Sequence, residues 1–485
     1  MIQSSHHYWA EFSFIQLSRY GVKGLAQGPK SGIFSQNERT LTSLNAELKP
    51  SQERKQRNMD VASSGKQWIL LAAGSKGWED YDVQANVCHA YQVAHRSGVP
   101  DQQIVVMMYD DVAYSQQNPF PGNIINAPNG PNVYPGVLKD YTGEEVSAEN
   151  FLAVLCGDSA AVKKTGRKKV IERVGDFQAF SVASSFLEFT PGLAGAFLYP
   201  RSGYVPKLYA HDLINTVKTM SKNHKFSKMV IYLESCHSGS MLNHLSDSNV
   251  YAVSSCRPDE YTYACFFDKE RNTFLSDLFS INWLQHMDTV KLTMTSFGEQ
   301  FSYLEKKVSK DAKKVGVAET PCNYGDKSIM KLMLSEFFGG SPGSVSETYT
   351  SQLVHIEVSD VVDITEVPLI LQENKVKNEQ DPEKRQSLQK QYEDLKNKRK
   401  MMDEALQKIA ERTNALQVLT RKHEVTRTYE LKVVAEHFKK NLFNWEKEPF
   451  VVTRSHLQVL VNLCECGLEV ERYLMNFTFS ELNLE

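Results

Sequence analysis

The sequence predicts an α/β chain: one mostly parallel sheet with helices on both faces, followed by a separate all-α C-terminal region. Short apolar runs alternate with amphipathic stretches from Trp68 to Ser254, and a cluster of Gly339, Gly340, Pro342 and Gly343 ends that pattern. A highly charged helical segment then follows. With 485 residues, 41% of them hydrophobic and 23% charged, the chain has room for a core and a second domain. Its formal net charge of -3 gives no reason to expect a nucleic-acid partner or disorder. No run approaches the roughly 18 apolar residues that span a bilayer. The eight cysteines show no metal-ligand spacing with histidines, so neither a metal nor another cofactor is expected.

Taken in order, Trp68 to Ala73 is the first strand, closed by Gly74. Val83, Val87, Tyr91 and Ala94 recur at helical spacing, and Gly98 is placed to cap that helix. Ile104 to Tyr109 is the second strand. A Pro, Gly and Asn-rich loop runs from Asn118 to Gly136, and Ser147 caps a helix around Phe151 to Leu155. A helix from about Asp212 to Asn223 leads into Met229 to Leu233, an unbroken apolar and β-branched run that reads as a strand buried on both faces. Val250 to Ser254 is the next strand. Beyond Gly343, a β-branched stretch to about Leu371 reads as a linker. Leu395, Met402, Ile409 and Leu416, seven apart and joined by Leu406, then read as a helix in a small bundle, because Arg399 and Thr413 occupy the other seam. Further helices are expected from about Arg427 to Asn444 and from Ser455 to Cys466.

The candidate chemistry lies just past Leu233. Cys236 sits at the C-terminal end of a buried strand, the edge at which open parallel sheets bind ligands and do chemistry. Ser238-Gly239-Ser240 would let the backbone turn tightly and present N–H groups to an oxyanion. Strand alternation puts Glu234 on the same side as Cys236. A small buried structural cysteine is the alternative.

Glu234-Ser235-Cys236-His237-Ser238-Gly239-Ser240-Met241 resembles the nucleophile segment of the legumains, asparaginyl endopeptidases of the caspase-like clan. Val87-Cys88-His89-Ala90-Tyr91, Gln103 to Asp111, Asn118 to Gly122, Lys139 to Gly143 and Asn150 to Leu155 also resemble legumain segments, in legumain order. The resemblance covers residues 66 to 340 closely and the C-terminal region loosely. It implies a caspase-like core over residues 66–340, an activation-peptide-like linker over 341–384 and a helical prosegment over 385–485. It further implies peptide or protein substrates cut after asparagine, the chain's own prosegment as partner, no cofactor and a lysosomal or vacuolar location. Asn378 aligns with the family's processing asparagine. Residues 1–65 depart from the family: His6, His7, Glu11, Arg19 and Lys23 interrupt every apolar patch, so no signal peptide is read there and a disordered leader is expected. The paired cysteines that staple the family's prosegment are also largely missing; Cys464 remains, but Leu442 precedes Phe443.

The same resemblance exposes two deficits. The family histidine ends the strand before the nucleophile strand, yet Asp176 to Pro200 contains no histidine, and Thr190-Pro191-Gly192 is the nearest remnant. His237, His211 and His89 are poor substitutes as bases. The family's asparagine pocket combines an Arg-His pair, a glutamate and an aspartate. Here the acidic members survive as Glu234 and Asp277, while Asp82 and Val83 stand at the Arg-His positions, Asp80 at a supporting asparagine, and Tyr261-Thr262 at a Ser-Ser along the substrate path. Acidic groups without the arginine repel and raise one another's pKa. The chain therefore reads as an impaired or inactive legumain homologue. An active asparaginyl endopeptidase whose sequence is altered around residues 175–200 is the alternative.

Overall fold

The computed structural model describes residues 66–172, 182–188, 192–197, 208–246, 249–340, 360–444, 447–448 and 450–467, with 182–188 as backbone. The leader 1–65, linker residues 341–359 and Thr190-Pro191 lie outside them. In chain order the strands are β1 (Gln67–Ala73), β2 (Ile104–Met107), β3 (Val182–Glu188), β4 (Gly192–Leu193), β5 (Ala196–Phe197), β6 (Leu208–Tyr209), β7 (Lys228–Glu234), β8 (Val250–Ser254), β9 (Tyr263–Asp268), β10 (Thr273–Asp277), β11 (Cys322–Gly325) and β12 (Val362–Asp363). The helices are α1 (Tyr81–Arg96), α2 (Ala148–Cys156), α3 (Ala210–Lys222), α4 (Leu278–Thr289), α5 (Phe297–Lys314), α6 (Ser335–Phe338), α7 (Val367–Asn378), α8 (Pro382–Arg412), α9 (Thr428–Asn441) and α10 (Arg454–Glu465). The chain is a mixed α/β protein, as the alternating pattern predicts.

Six strands form the central sheet in the order β11-β8-β7-β3-β1-β2, parallel except for β11. Its continuous apolar strands follow from burial on both faces. Ile69, Leu71, Val230 and Tyr232 enter one core with Val87, Tyr91, Phe279 and Trp283 of the helices on that side. The alternate residues Leu70, Ala72, Met229, Ile231 and Leu233 enter a second core with Phe151, Leu213 and Val217. The run Met229 to Leu233 is thus a central strand, with β3 and β8 as neighbours.

Local signals set several boundaries. Ser147 Oγ accepts the Asn150 N–H at 3.2 Å at the start of α2. Gly98, at φ 91°, follows α1 and donates its N–H to the His95 carbonyl. Other boundaries move. The second strand stops at Met107, and the run read as a linker to Leu371 becomes helical from Val367, where Pro368 occupies the first turn. Ile364, Val367 and Leu371 join the first core.

The C-terminal helices form a third core around Met402, Leu406, Ile409, Val434, Phe438, Leu457 and Leu460. Leu193 and Ala196 of the β4–β5 turn belong to it as well, so the helices pack directly onto the chain beside the nucleophile. Leu416 departs from the heptad reading. Helix α8 ends at Arg412, which leaves Leu416 beyond it and 52% exposed. Arg399 is buried and donates to the carbonyls of Phe450 and Thr365, which explains a charge at that helical position. Among the described residues no helix is long and apolar enough to cross a membrane.

Candidate active site

Strand β7 ends at Glu234, and the next turn carries Cys236. His237 lies in the left-handed region at φ 59°, an uncommon conformation for a residue with a side chain, and it swings the chain into the 3-10 turn Ser238–Met241. Hydrogen bonds hold this geometry: the His237 N–H donates to Glu260 O (2.9 Å), while His237 O accepts from Ser240 N (2.8 Å) and Ser240 Oγ (2.6 Å). Gly239 is required by space, since a Cβ there would lie 2.6 Å from the Tyr324 hydroxyl and 2.8 Å from the Pro258 ring. The N–H groups of His237, Ser238 and Ser240 all donate to backbone carbonyls, so in this form these three are occupied rather than offered to an oxyanion.

Around the thiol lies a group of buried carboxylates. Glu234 is 1% exposed and neither carboxylate oxygen has a hydrogen-bond partner among the described residues. Burial pushes its pKa well above the ordinary range, and the neighbouring charges of Asp277, Glu319, Cys236 and Asp82 push it further. Asp82, in the first turn of α1, is buried and raised for the same first reason, with Asp277 and Asp80 adding to it. Half-buried Asp80 is pushed up to about 7, chiefly by desolvation. Glu319 is 1% exposed and likewise raised by burial, then by Asp277 and Cys236. Asp277 is the best held. Its Oδ1 caps α4 by accepting the Ser280 N–H (2.7 Å), and its Oδ2 accepts from Asn86 Nδ2 (2.7 Å). Val83 is fully buried in the core beneath them.

Cys236 is 0% exposed, and the C-terminal region covers it. Arg454, the first residue of α10 and itself 7% exposed, donates from Nη1 to Cys236 Sγ at 3.0 Å. Thr262 also meets the sulfur, through N at 3.5 Å and Oγ1 at 3.6 Å. Lys422 Nζ donates to the Tyr261 hydroxyl and lies over the Tyr261 ring. Gln458 Oε1 accepts the Ala194 N–H at 3.1 Å, while the neighbouring Gly195 N–H donates to Ser240 Oγ at 2.7 Å. The result is a thiol closed in by a guanidinium, a threonine and a set of acids.

The model of the peptidase C13 family matches residues 67–341. The chain belongs to that family. It is 37% identical to legumain of Homo sapiens over 413 residues, covering 84% of this chain and 90% of that protein. It is 32% identical to the vacuolar-processing enzyme delta-isozyme of Arabidopsis thaliana over 435 residues (85% and 90%), and 38% identical to hemoglobinase of Schistosoma japonicum over 287 residues (58% and 62%).

No histidine occurs between His95 and His211, a span that includes β3. His237 Nδ1 pairs with Pro258 O at 3.0 Å, its ring packs edge-on to Tyr261, and burial pushes its pKa down to about 4. His89 is bridged between Asn126 Oδ1 (2.8 Å) and Asp288 Oδ2 (2.9 Å), and exposed His211 faces Asp212. None of the three is bonded to the sulfur. Asn378 is the exposed last residue of α7. Sequence reasoning missed Arg454 and Glu319. Nothing in the sequence separates a buried arginine at a helix start from a solvated one.

The raised carboxyls carry a sign. A group whose pKa is higher in the folded state adds stability at pH below its unfolded value and loses it as pH rises through the folded value. For Asp80 that window runs from the ordinary value of 3.8 to about 7. Asp80→Asn is therefore expected to stabilise the protein by about 1–3 kcal/mol at neutral pH and to be neutral near pH 4. This is less than a fully buried group would give, because Asp80 keeps some access to water. His89 and His237, both lowered to about 4, act with the opposite sign in wild type and variant alike and cancel in the difference. Urea unfolding of both proteins at the two pH values measures it.

Proposed function

We propose that this chain is a legumain-type cysteine endopeptidase homologue, held closed by its own C-terminal helical region and impaired in cleavage after asparagine. In this reading residues 66–340 are a caspase-like core, 341–384 an activation segment and 385–485 a prosegment. Cys236 holds the nucleophile position. Glu234, Asp277 and Asp82 stand at the pocket positions, with Val83 in the core beneath them, and Tyr261 and Thr262 flank the substrate path. The observation that carries the reading is the Arg454 Nη1 to Cys236 Sγ hydrogen bond at 3.0 Å, at a sulfur to which no described histidine is bonded. A thiol used for acyl transfer needs a base to hold the thiolate and an acid to protonate the leaving amine. Arginine supplies neither proton step, because it stays protonated. The names of the relatives, legumain and vacuolar-processing enzyme, support a lysosomal or vacuolar compartment.

A second reading, an active asparaginyl endopeptidase whose sequence is altered around residues 175–200, draws on register. Glu188 pairs with Glu234, so the chain leaving β3 starts level with the nucleophile turn, where a general base would serve. Self-processing separates the two readings. Incubated at acidic pH, the chain is expected to stay uncut after Asn378 by mass spectrometry. A fragment ending at Asn378 in wild type and missing in Cys236→Ala favours the second reading.

A further inference from the structure

We propose that His89 is a positioning residue for the candidate pocket: as an imidazolium it orients Asp277 through two buried asparagines, Asn126 and Asn86. The inference rests on the reading above only in taking Asp277 as a pocket group.

One carbonyl fixes the direction of every bond in this chain. Asn126 Nδ2 donates to Leu275 O (2.9 Å), which can only accept, and to Asn86 Oδ1 (2.7 Å). Asn126 Oδ1 therefore faces His89 Nδ1 (2.8 Å), and that ring nitrogen must carry a proton. Asn86 Oδ1 accepts from Asn126 and from Ser276 Oγ (2.7 Å), which turns Asn86 Nδ2 toward Asp277 Oδ2 (2.7 Å). On the other side of the ring, Nε2 meets Asp288 Oδ2 at 2.9 Å, and Arg96 pairs with the same carboxylate and favours its ionised form. A neutral ring would set a lone pair against one of these two oxygens, so the arrangement is that of the doubly protonated imidazolium.

Helix geometry brings these groups together. Asn86 and His89 lie one turn apart on α1 and share a face, while Asp277 and Asp288 stand at the start and near the end of α4. Helix α1 thus holds α4 at both ends, through Asn86 at Asp277 and through His89 and Arg96 at Asp288. Asp277 needs the hold at Oδ2 because its Oδ1 caps α4 through the Ser280 N–H.

The relay responds to pH. Among the described residues, the charged groups that face the ring are Asp288 on α4 and Arg96 on α1, while Asn126 and Leu275 O of β10 are neutral. Burial pulls the pKa of His89 down to about 4, opposed by the bond to Asn126 and helped by Arg96. Below that value both ring nitrogens donate. As pH rises through it, Nε2 keeps its proton because the ionised Asp288 is the stronger acceptor, and Nδ1 loses its own. Asn126 cannot answer by turning its amide over, since Leu275 O holds the nitrogen. Its oxygen then faces a lone pair, Asn126 shifts, and Asn86 loosens its hold on Asp277.

Two variants of the full chain separate positioning from packing. The amide nitrogen of an asparagine stands where Nδ1 of histidine stands, and that of a glutamine where Nε2 stands. His89→Asn therefore keeps the donor toward Asn126, and His89→Gln keeps only the donor toward Asp288. Hydrogen exchange of the Ser280 amide, followed by NMR of the serine-labelled chain and corrected for the intrinsic rate, reads how firmly Asp277 is held. In acid, exchange is expected to be about tenfold faster in His89→Gln than in His89→Asn, which stays near wild type. Wild-type exchange should also quicken as pH rises through the titration of His89, with no such step in His89→Asn. Equal exchange in the two variants, or a flat wild-type series, overturns the inference. If His89→Gln does not fold, the wild-type series decides alone. Anisotropy titration of fluorescent acetyl-Ala-Ala-Asn-amide, with each variant placed on Arg454→Ala, separates this inference from the reading it rests on. Binding about tenfold weaker with His89→Gln than with His89→Asn is expected. An exchange difference with no peptide bound by any variant overturns the peptide-binding reading and leaves the relay standing; binding without an exchange difference does the reverse.

Discussion

Replacing Arg454 with alanine is expected to speed iodoacetamide alkylation of Cys236 by about ten- to a hundredfold, because local opening of the site governs access to a fully buried sulfur. In wild type the sulfur is 0% exposed, and the guanidinium of α10 closes it off. Helix α10 is anchored elsewhere as well: Thr453 caps it by accepting the His456 N–H, and His456 Nε2 pairs with Asp403 Oδ1 at 2.8 Å. Removing one side chain should therefore loosen the cover without detaching the helix. Cys88 and Cys265, both fully buried in the first core, serve as internal controls and should stay protected in wild type and variant. Peptide mapping after timed alkylation reads all three sites in one experiment. An unchanged Cys236 rate would mean that the core itself shields the thiol, which is the structural-cysteine reading.

The parts of the fold that sequence could reveal are those in which side-chain periodicity decides the outcome. Met229 to Leu233 is apolar without a break because its alternate residues feed two different cores, and that pattern has no other economical reading. The helix around Phe151 was marked by its Ser147 cap, and the position of Cys236 followed from the end of its strand. What stayed hidden depends on contacts across long sequence distances. Arg454 and Cys236 are separated by more than 200 residues, and an arginine at the start of an amphipathic helix reads as solvated until a buried acidic neighbourhood is found beside it. Glu319 lies in a connecting segment, where charge normally signals exposure. The helix Val367–Asn378 escaped because β-branched residues favour strands intrinsically, while here packing of Val367 and Leu371 on the first core outweighs that preference. Asp82 and Val83 stand out in the sequence only through the resemblance. Their electrostatic result, with Asp80, Asp82, Glu234 and Glu319 all raised, needed the fold.

In the function proposed above, the lack of a described histidine at the sulfur, and not only the cover, limits the chemistry. General acid–base assistance is worth about a hundred- to ten-thousandfold, and the acidic pocket adds a further loss for a neutral asparagine side chain. The most direct measurement is turnover of an asparagine-containing fluorogenic peptide at acidic pH. It uses an Arg454→Ala preparation in which Cys236 alkylates readily, so that the cover is no longer the barrier, alongside activated human legumain. Turnover at least about a hundredfold below the human enzyme is the expected result. Turnover comparable to the human enzyme, abolished by adding Cys236→Ala, would contradict the account and require a general base at the sulfur.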